Sequence, residues 1–173
     1  MNLQRRLLGK ERVIGMPDYI IYIDILYRKH RSNNGVSGGI GIVITTSDGQ
    51  LVDEFNDATR QVISPDEKMA LLLLEVCAAT IAIRNAPAGE LLIRSKQHYI
   101  GEIIGLMTRM KTRGWLNADG TPNTNENLWR RLDAAVSGHS GTIQWEYTRV
   151  REPGHRRCEE IARFAANCLI DNR

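Results

Sequence analysis

One helical segment constrains the fold of this chain more than any other part of the sequence. Residues 67–83, "EKMALLLLEVCAATIAI", are apolar around nearly the whole circumference of a helix, so neighbouring elements must bury most of its surface. A strand pattern rich in Ile and Tyr, "YIIYIDILY", comes before this helix, and a short strand pattern, "ELLIRS", comes directly after it. Because a helical crossover returns the chain in its original direction, we expect these two strands to lie parallel in one sheet.

Two further strand patterns precede the apolar helix. The segments "IGIVITT" and "QLVDEF" are separated by a tight turn at "SDG", so together with the first strand they predict an antiparallel meander. Ser64 with Glu67 three residues later predicts a capping box at the start of the helix, with Pro65 at the first helical position.

The rest of the chain completes one α/β domain. An apolar stripe from Ile100 to Met107 predicts a second helix, and Asn125 begins a third. The segment "TIQWEYTRV" alternates as a strand with two unlike faces, and "RRCEEIARFAANCLI" predicts a final amphipathic helix. The predicted order is β-β-β-α-β-α-α-β-α, a five-stranded mixed sheet flanked by helices. We expect residues 1–17 to form a basic N-terminal arm and residues 18–173 to form a single domain.

Composition and charge exclude several classes of protein. The hydrophobic share of 42% and the charged share of 25% are typical of a globular domain rather than a disordered chain. A net charge of +3 is too small to require a polyanionic partner, so the local distribution of charge matters more. The three cysteines show no metal-binding spacing, and no apolar run is long enough for a signal peptide or a membrane span. We therefore expect a cytoplasmic protein with reduced thiols and no membrane partner.

A basic segment with two tryptophans lies between the second and third predicted helices. We call residues 107–135, "MTRMKTRGWLNADGTPNTNENLWRRLDAA", the basic elbow. Its cations and tryptophans are Arg109, Lys111, Arg113, Arg130, Arg131, Trp115 and Trp129. Cations at a projecting helix end neutralise phosphates, and a neighbouring aromatic ring stacks on a sugar or base. The alternative interpretation is that the tryptophans pack the two helices together and the cations form a solvated surface.

The element order and three segments resemble the type 1 ribonuclease H family. The segments are "KTRGWLNADGTPNTNENLWRRLDAA", "IQWEY" and "RRCEEIARFAA", and the resemblance covers roughly Tyr19 to Ala166. Members of that family cut the RNA strand of an RNA–DNA hybrid with a carboxylate cluster that holds two divalent metal ions. The resemblance therefore implies a ribonuclease H-like fold, and it places the basic elbow on the handle with which the family holds the DNA strand.

The four carboxylate positions of the family do not all carry acids in this chain. The first falls on Asp24, the second on Ala70, the third on Lys96 and the fourth on Glu159. Two acids remain, one position is apolar and one is reversed in sign, so we expect no metal cofactor. We expect Lys96 to bridge Asp24 and Glu159 as a built-in cation; the alternative is a lysine that points to solvent at a helix start.

Other residues near these positions were considered as replacements. Glu67 lies on roughly the same helix face as Ala70, but the predicted capping box already engages it, and Glu75 is expected to be turned away. The segment "DIL" at residues 24–26 puts bulk where the family has a glycine near the RNA backbone. His155 is expected to be a surface residue, with a remnant of the family's turnover histidine as the alternative.

These observations predict a catalytically inactive ribonuclease H-like protein that binds nucleic acid, either an RNA–DNA hybrid or duplex RNA. The predicted binding residues are Arg109, Lys111, Arg113, Trp115 and Asn34. One alternative is a protein-interaction module on a ribonuclease H scaffold. The other is an active, magnesium-dependent endoribonuclease with a rearranged carboxylate site. Acidic residues at the start of the apolar helix argue against a phosphate pocket there.

Overall fold

The sheet and helices are those predicted from the sequence. We obtained a computed structural model, which describes residues 15–29, 36–59 and 66–171. The elements are β1 (Tyr19–Lys29), β2 (Val36–Thr46), β3 (Leu51–Thr59), α1 (Glu67–Asn85), β4 (Leu91–Ser95), α2 (Ile103–Thr112), α3 (Glu126–Gly138), β5 (Ile143–Tyr147) and α4 (Pro153–Asp171). A single 3₁₀ turn, His98–Gly101, joins β4 to α2. This order confirms the predicted β-β-β-α-β-α-α-β-α arrangement.

The five strands form one sheet in the order β3-β2-β1-β4-β5. The first three strands pair antiparallel, whereas β4 runs parallel to β1 and β5 runs parallel to β4. Both the meander and the parallel crossover are therefore confirmed. The parallel register pairs Ile23 of β1 with Ser95, the last residue of β4. Asp24, which follows Ile23, and Lys96, which follows Ser95, therefore lie close together.

The sheet is covered on both faces. Alternate residues of β1 and β2 lie in the main core, which they share with α1: Ile21, Ile23, Ile25, Ile40, Ile42 and Ile44. Residues between them, including Tyr22 and Val43, pack against Cys158 and Ile161 of α4 on the opposite face. This alternation follows from the two-residue period of a strand. It also places Asp24, two residues after Tyr22, on the face that carries α4.

Two glycines of β2 allow α4 to lie directly on the sheet. A Cβ atom at Gly39 would collide with the carbonyl oxygen of Ala162, and one at Gly41 would collide with that of Cys158. Glycine in a strand interior often marks such a close backbone approach. Because Gly41 pairs with Asp24 across β1 and β2, this approach brings Glu159, the residue after Cys158, next to Asp24.

The start of α1 differs from the prediction. The helix begins at Glu67, and its N-cap is Asp66, whose side chain accepts a hydrogen bond from the Met69 amide at 2.9 Å. The N-cap is thus Asp66 rather than the predicted Ser64, and Ser64 and Pro65 themselves lie outside the described residues. Asp66 has extended backbone angles, and an aspartate at an N-cap satisfies a free amide and also interacts favourably with the helix dipole.

None of the helices in the described ranges is both long enough and apolar enough to cross a bilayer. Cys158 is buried, Cys77 is half-buried and Cys168 is exposed.

Candidate functional site

Lys96 joins the two acids that remain at the family's carboxylate positions. Its Nζ atom lies 2.9 Å from Oδ2 of Asp24 and 3.5 Å from Oε2 of Glu159. The parallel register of β1 and β4 brings Asp24 and Lys96 together, and the close packing of α4 on β2 supplies Glu159. This geometry confirms the predicted bridge, and we call these three residues the lysine bridge.

Asp24 depends on this bridge because it is almost buried, with 7% of its surface exposed. Burial raises the pKa of Asp24, and although the hydrogen bond and charge of Lys96 lower it, burial prevails. The backbone amide of Ile25 also donates to Oδ1 of Asp24, at 3.1 Å. Removing one partner of a buried ion pair costs about 3–5 kcal/mol, because the other charge is left uncompensated. Lys96 therefore has a structural function that a solvent-facing lysine would not have.

The structure adds an acid that the sequence interpretation had dismissed. Glu75 of α1 is fully buried, and its charge interacts with that of Asp24. Burial raises the pKa of Glu75 to about 8, and the neighbouring Ser95 side chain only partly opposes this rise. Within the described residues, no hydrogen bond of ordinary geometry reaches either carboxyl oxygen of Glu75. The carboxyl group of Glu75 is therefore largely protonated at neutral pH.

The helical position of Glu75 explains its burial. Glu75 shares one face of α1 with Ala78, Ala79 and Ala82, all of which are fully buried. Ala70 lies five residues earlier, which corresponds to a rotation of about 140° around the helix axis. A lone carboxylate followed by alanines at helical spacing was the sequence signal for this face, because small residues let a helix approach a sheet closely. Glu75 is therefore the α1 acid whose charge interacts with that of Asp24.

Two arginines that the sequence interpretation missed also contact the lysine bridge. Nη2 of Arg151 lies 2.6 Å from Oε2 of Glu159, and Nη2 of Arg163 lies 2.9 Å from Oε1. Desolvation raises the pKa of Glu159, but the charges of Lys96, Arg151 and Arg163 outweigh it and lower the pKa overall. A cavity of about 210 Å³ opens beside this group. It is lined by Asp24, Ile25, Leu26, Lys96, Glu159, Ala162 and Arg163.

His155 lies inside the protein rather than on its surface. Its side chain is fully buried, and its ring meets the Tyr22 ring edge to face with centroids 4.9 Å apart. Burial lowers the pKa of His155, and neither ring nitrogen has a hydrogen-bond partner in the described part of the chain. The expected surface position is wrong because α4 begins at Pro153, which turns His155 inward within the first helical turn.

The two tryptophans of the basic elbow are core residues. Trp115 is 6% exposed and Trp129 is 2% exposed, and both belong to the main core. Trp115 adopts a positive φ of 69°, held by a hydrogen bond from its amide to the Met110 carbonyl at 2.7 Å. The Arg130 guanidinium lies 4.9 Å from the centroid of its ring. Trp115 therefore packs the elbow together, as in the alternative interpretation, and offers little surface for stacking on a base.

The cations of the basic elbow divide into paired and free groups. Lys111 forms an ion pair with Asp133 at 2.9 Å, and Arg130 forms one with Glu126 at 2.6 Å. Arg109 and Arg113 are exposed, and neither forms an ion pair with any residue that the structure describes. The remaining predicted contact, Asn34, lies outside the described residues.

Comparison with known proteins identifies the family to which this geometry is related. No family model matches the chain. A curated ribonuclease H from Yersinia pestis (strain Pestoides F) is 37% identical over 98 residues, which cover 54% of this chain and 62% of that protein. LC9-RNase H1, a type 1 RNase H with the type 2 active-site motif, superposes with a TM-score of 0.65 at 18% identity, covering 90% of this chain and 74% of that one. This chain is similar to ribonucleases H in sequence over part of its length, and it has the ribonuclease H fold.

A viral enzyme extends the structural comparison. A foamy viral protease–reverse transcriptase superposes with a TM-score of 0.73 at 14% identity, over 96% of this chain and 23% of that one. At such identities the solved structures establish the fold alone. The sequence match spans 62% of the curated ribonuclease H, less than two thirds of its length.

The carboxyl groups of this ribonuclease H relative do not fit a pair of divalent metal ions. Magnesium takes oxygen ligands, and a two-metal site needs negative charge to balance both ions. Here Lys96 cancels one of the two negative charges on Asp24 and Glu159, and Glu75 is largely protonated. No group of three or more Asp, Glu, His or Cys side chains placed to hold a metal ion occurs among the described residues.

Proposed function

We propose that this ribonuclease H relative binds nucleic acid, either an RNA–DNA hybrid or duplex RNA, without cleaving it by two-metal chemistry. One observation carries the proposal: the Lys96 ammonium lies 2.9 Å from Asp24 and 3.5 Å from Glu159. The family's third carboxylate falls on this position, so a fixed cation stands among the groups that would otherwise hold metal ions.

The magnitude of the charge repulsion supports this proposal. A divalent ion about 4 Å from an ammonium group is repelled by about 8 kcal/mol at an effective dielectric constant of about 20. A metal ion could therefore bind only if the Lys96 side chain moved away. That movement would break the ion pairs of Lys96 with Asp24 and Glu159. Glu75 supplies only a neutral ligand unless it first loses its proton, because burial raises its pKa to about 8.

The binding part of the proposal rests on the basic elbow. Arg109 and Arg113 are exposed at the end of α2 and have no ion-pair partner in the described ranges, so they are available to phosphates. The foamy viral protease–reverse transcriptase that shares this fold was solved in complex with an RNA/DNA hybrid. Binding here would depend on the exposed arginines and on the backbone of the elbow rather than on stacking, since both tryptophans of the elbow are buried.

The experiment that tests this function follows binding and cleavage in the same samples. Labelled RNA–DNA hybrid, duplex RNA and duplex DNA are titrated with the protein in magnesium buffer, with anisotropy as the measure of binding and denaturing gels as the measure of cleavage. We expect hybrid or duplex RNA to bind uncut, with an affinity that falls steeply as salt rises. Binding to none of the three would reject this function and leave the protein-interaction module.

Variants of the elbow make the same experiment specific. Arg109→Ala/Lys111→Ala/Arg113→Ala should weaken binding to every sequence and leave the far-ultraviolet circular dichroism spectrum unchanged. Lys111→Ala alone is the control, because it removes an ion pair with Asp133 but keeps both free arginines. A triple variant that binds as tightly as the wild type would show that the elbow is not the binding surface.

Glu75 gives a specific reason to consider a second function, that of an active metal-dependent ribonuclease H. Its carboxyl group interacts electrostatically with Asp24, and the active alternative requires an additional acid. In that case Lys96 would move away when metal and substrate bind, and the titration would show magnesium-dependent cleavage of the hybrid. The protein-interaction alternative would be favoured by an exposed apolar patch beside Asp24, but Ile25 is buried at 6% exposure.

A further inference from the structure

Three cations from different parts of the fold converge on one carboxylate. Lys96 follows β4, Arg151 lies in the connection from β5 to α4, and Arg163 lies on α4. All three lie within 3.5 Å of a Glu159 oxygen. Glu159 therefore acts as a positioning residue for cations, at the place where the ribonuclease H family positions metal ions.

The two arginines are free to engage another anion. Their side chains are 60% and 57% exposed, and exposed ion pairs are weak because water and salt compete with them. A guanidinium group matches the geometry of a phosphate, to which it donates two parallel hydrogen bonds. Arg151 and Arg163 can therefore turn from Glu159 to an incoming phosphate without breaking a buried interaction.

The balance of charge also favours an anion. The three cations outnumber the two carboxylates that they contact, Asp24 and Glu159. The adjoining cavity of about 210 Å³ is smaller than the roughly 300–1,000 Å³ of sites that hold drug-sized ligands. Its size and charge suit a small anionic group better than a base or a divalent cation.

We propose that this cluster binds a backbone phosphate of the nucleic acid directly, with Lys96, Arg151 and Arg163 in the place of metal ions. This inference rests on the proposed function and adds the site and the means by which the phosphate is held. No bond is made or broken, so the bound strand stays intact. Binding of the hybrid is consequently independent of divalent metal ions.

The test compares binding of an RNA–DNA hybrid to the full-length protein in magnesium and in a metal chelator. The wild type should bind equally well in both. Arg151→Ala/Arg163→Ala should weaken binding by about tenfold, the loss expected for a charge-assisted hydrogen bond. It should also make the slope of log affinity against log salt shallower by about one unit, which corresponds to one phosphate contact.

Two further variants separate loss of phosphate binding from loss of structure. Arg151→Lys/Arg163→Lys keeps both charges and should retain the salt slope of the wild type. Arg84→Ala/Arg156→Ala removes the same number of charges from exposed positions that do not contact Glu159, and should change affinity less than the alanine pair in the cluster.

Each contrary outcome has a separate meaning. Loss of binding in chelator would overturn the inference, because the phosphate would then need a metal ion. Equal affinity of Arg151→Ala/Arg163→Ala and the wild type, with binding lost in the elbow variant, would overturn the inference and leave the proposed function intact. A wild-type protein that binds no nucleic acid would overturn both.

Discussion

At the scale of single residues, the site differs from a metal centre mainly in where protons and cations lie. Lys96 supplies a fixed positive charge between Asp24 and Glu159, and Glu75 keeps its proton because burial disfavours the carboxylate. These two features support each other, since an ionised Glu75 would add a second buried negative charge beside Asp24. A change at position 96 should therefore alter the protonation of Glu75 as well as the local ion pairs.

The first prediction reverses the charge at position 96. Lys96→Asp should create a magnesium site, because the new carboxylate would stand between those of Asp24 and Glu159, which the Lys96 ammonium now joins. The variant should be less stable than the wild type without metal, since three carboxylates then repel one another. Magnesium at about 100 times its dissociation constant should recover about 2.7 kcal/mol, measured as a rise in the urea unfolding midpoint.

The control for this prediction is Lys96→Ala, which removes the cation but adds no carboxylate, so magnesium should stabilise it much less than Lys96→Asp. Equal stabilisation of the two variants by magnesium, or none in either, would show that Asp24 and Glu159 do not lie where a new carboxylate could share a metal ion with them.

The second prediction concerns the pH dependence of stability at Glu75. Burial raises the pKa of Glu75 in the folded state from its ordinary value of 4.5 to about 8. Between these two values the folded state holds a proton that the unfolded state has lost, so the free energy of unfolding falls as pH rises, by at most about 1.4 kcal/mol per pH unit. The contribution is fully present below pH 4.5 and lost as pH passes 8.

Glu75→Gln should remove this dependence. The free energy of unfolding of the wild type and of Glu75→Gln is measured with urea in steps from pH 5 to pH 9. As pH rises, the variant should become more stable relative to the wild type. Asp24 also has a raised pKa, but it is present in both proteins and cancels in the comparison. A constant difference between the two proteins would mean that Glu75 is already ionised in the folded state.

At the scale of secondary-structure elements, the contact between β2 and α4 determines the distance from Asp24 to Glu159. Gly39 and Gly41 bring the backbone of α4 against that of β2, so α4 cannot move without moving Glu159. The lysine bridge, at 2.9 Å and 3.5 Å, spans this junction. The geometry of the site thus depends on two positions that carry no functional group.

The third prediction tests this junction with Gly41→Ala. The added methyl group would collide with the Cys158 carbonyl, a backbone atom that cannot turn aside, so α4 must shift away from the sheet. We expect a loss of about 1–3 kcal/mol in the free energy of unfolding, as for other overpacked cores. Gly138→Ala is the matched control, because an added Cβ there meets no atom within 4 Å. Equal stability of Gly41→Ala and the control would show that α4 is not held this closely.

At the scale of the whole molecule, the sequence predicted element order and strand direction better than helix rotation. Strand alternation and the crossover rule predicted the sheet, and the resemblance to the ribonuclease H family, which places Asp24, Lys96 and Glu159 at carboxylate positions, predicted the lysine bridge. The rotation of α1 was not predicted, because a helix that is apolar on every side has no hydrophobic stripe to mark its buried face. The burial of Glu75 was not predicted for that reason. His155 and Asp66 were misjudged because each depends on where its helix begins, which the sequence does not show within a residue or two.

The last prediction treats both faces of the sheet as one cooperative unit. The two buried tryptophans and the partly buried Trp145 belong to the main core on the α1 side, whereas Tyr22, Val43, Cys158 and Ile161 form the smaller cluster under α4. Tryptophan fluorescence therefore reports on one side, and far-ultraviolet circular dichroism reports on the helices of both. Because β1 and β2 contribute residues to both clusters, neither can be lost alone, so the two probes should give the same urea midpoint and the same slope. Gly41→Ala should lower both midpoints equally. An earlier transition by circular dichroism would mean that α4 detaches first, and that residues 18–173 do not unfold as a single domain.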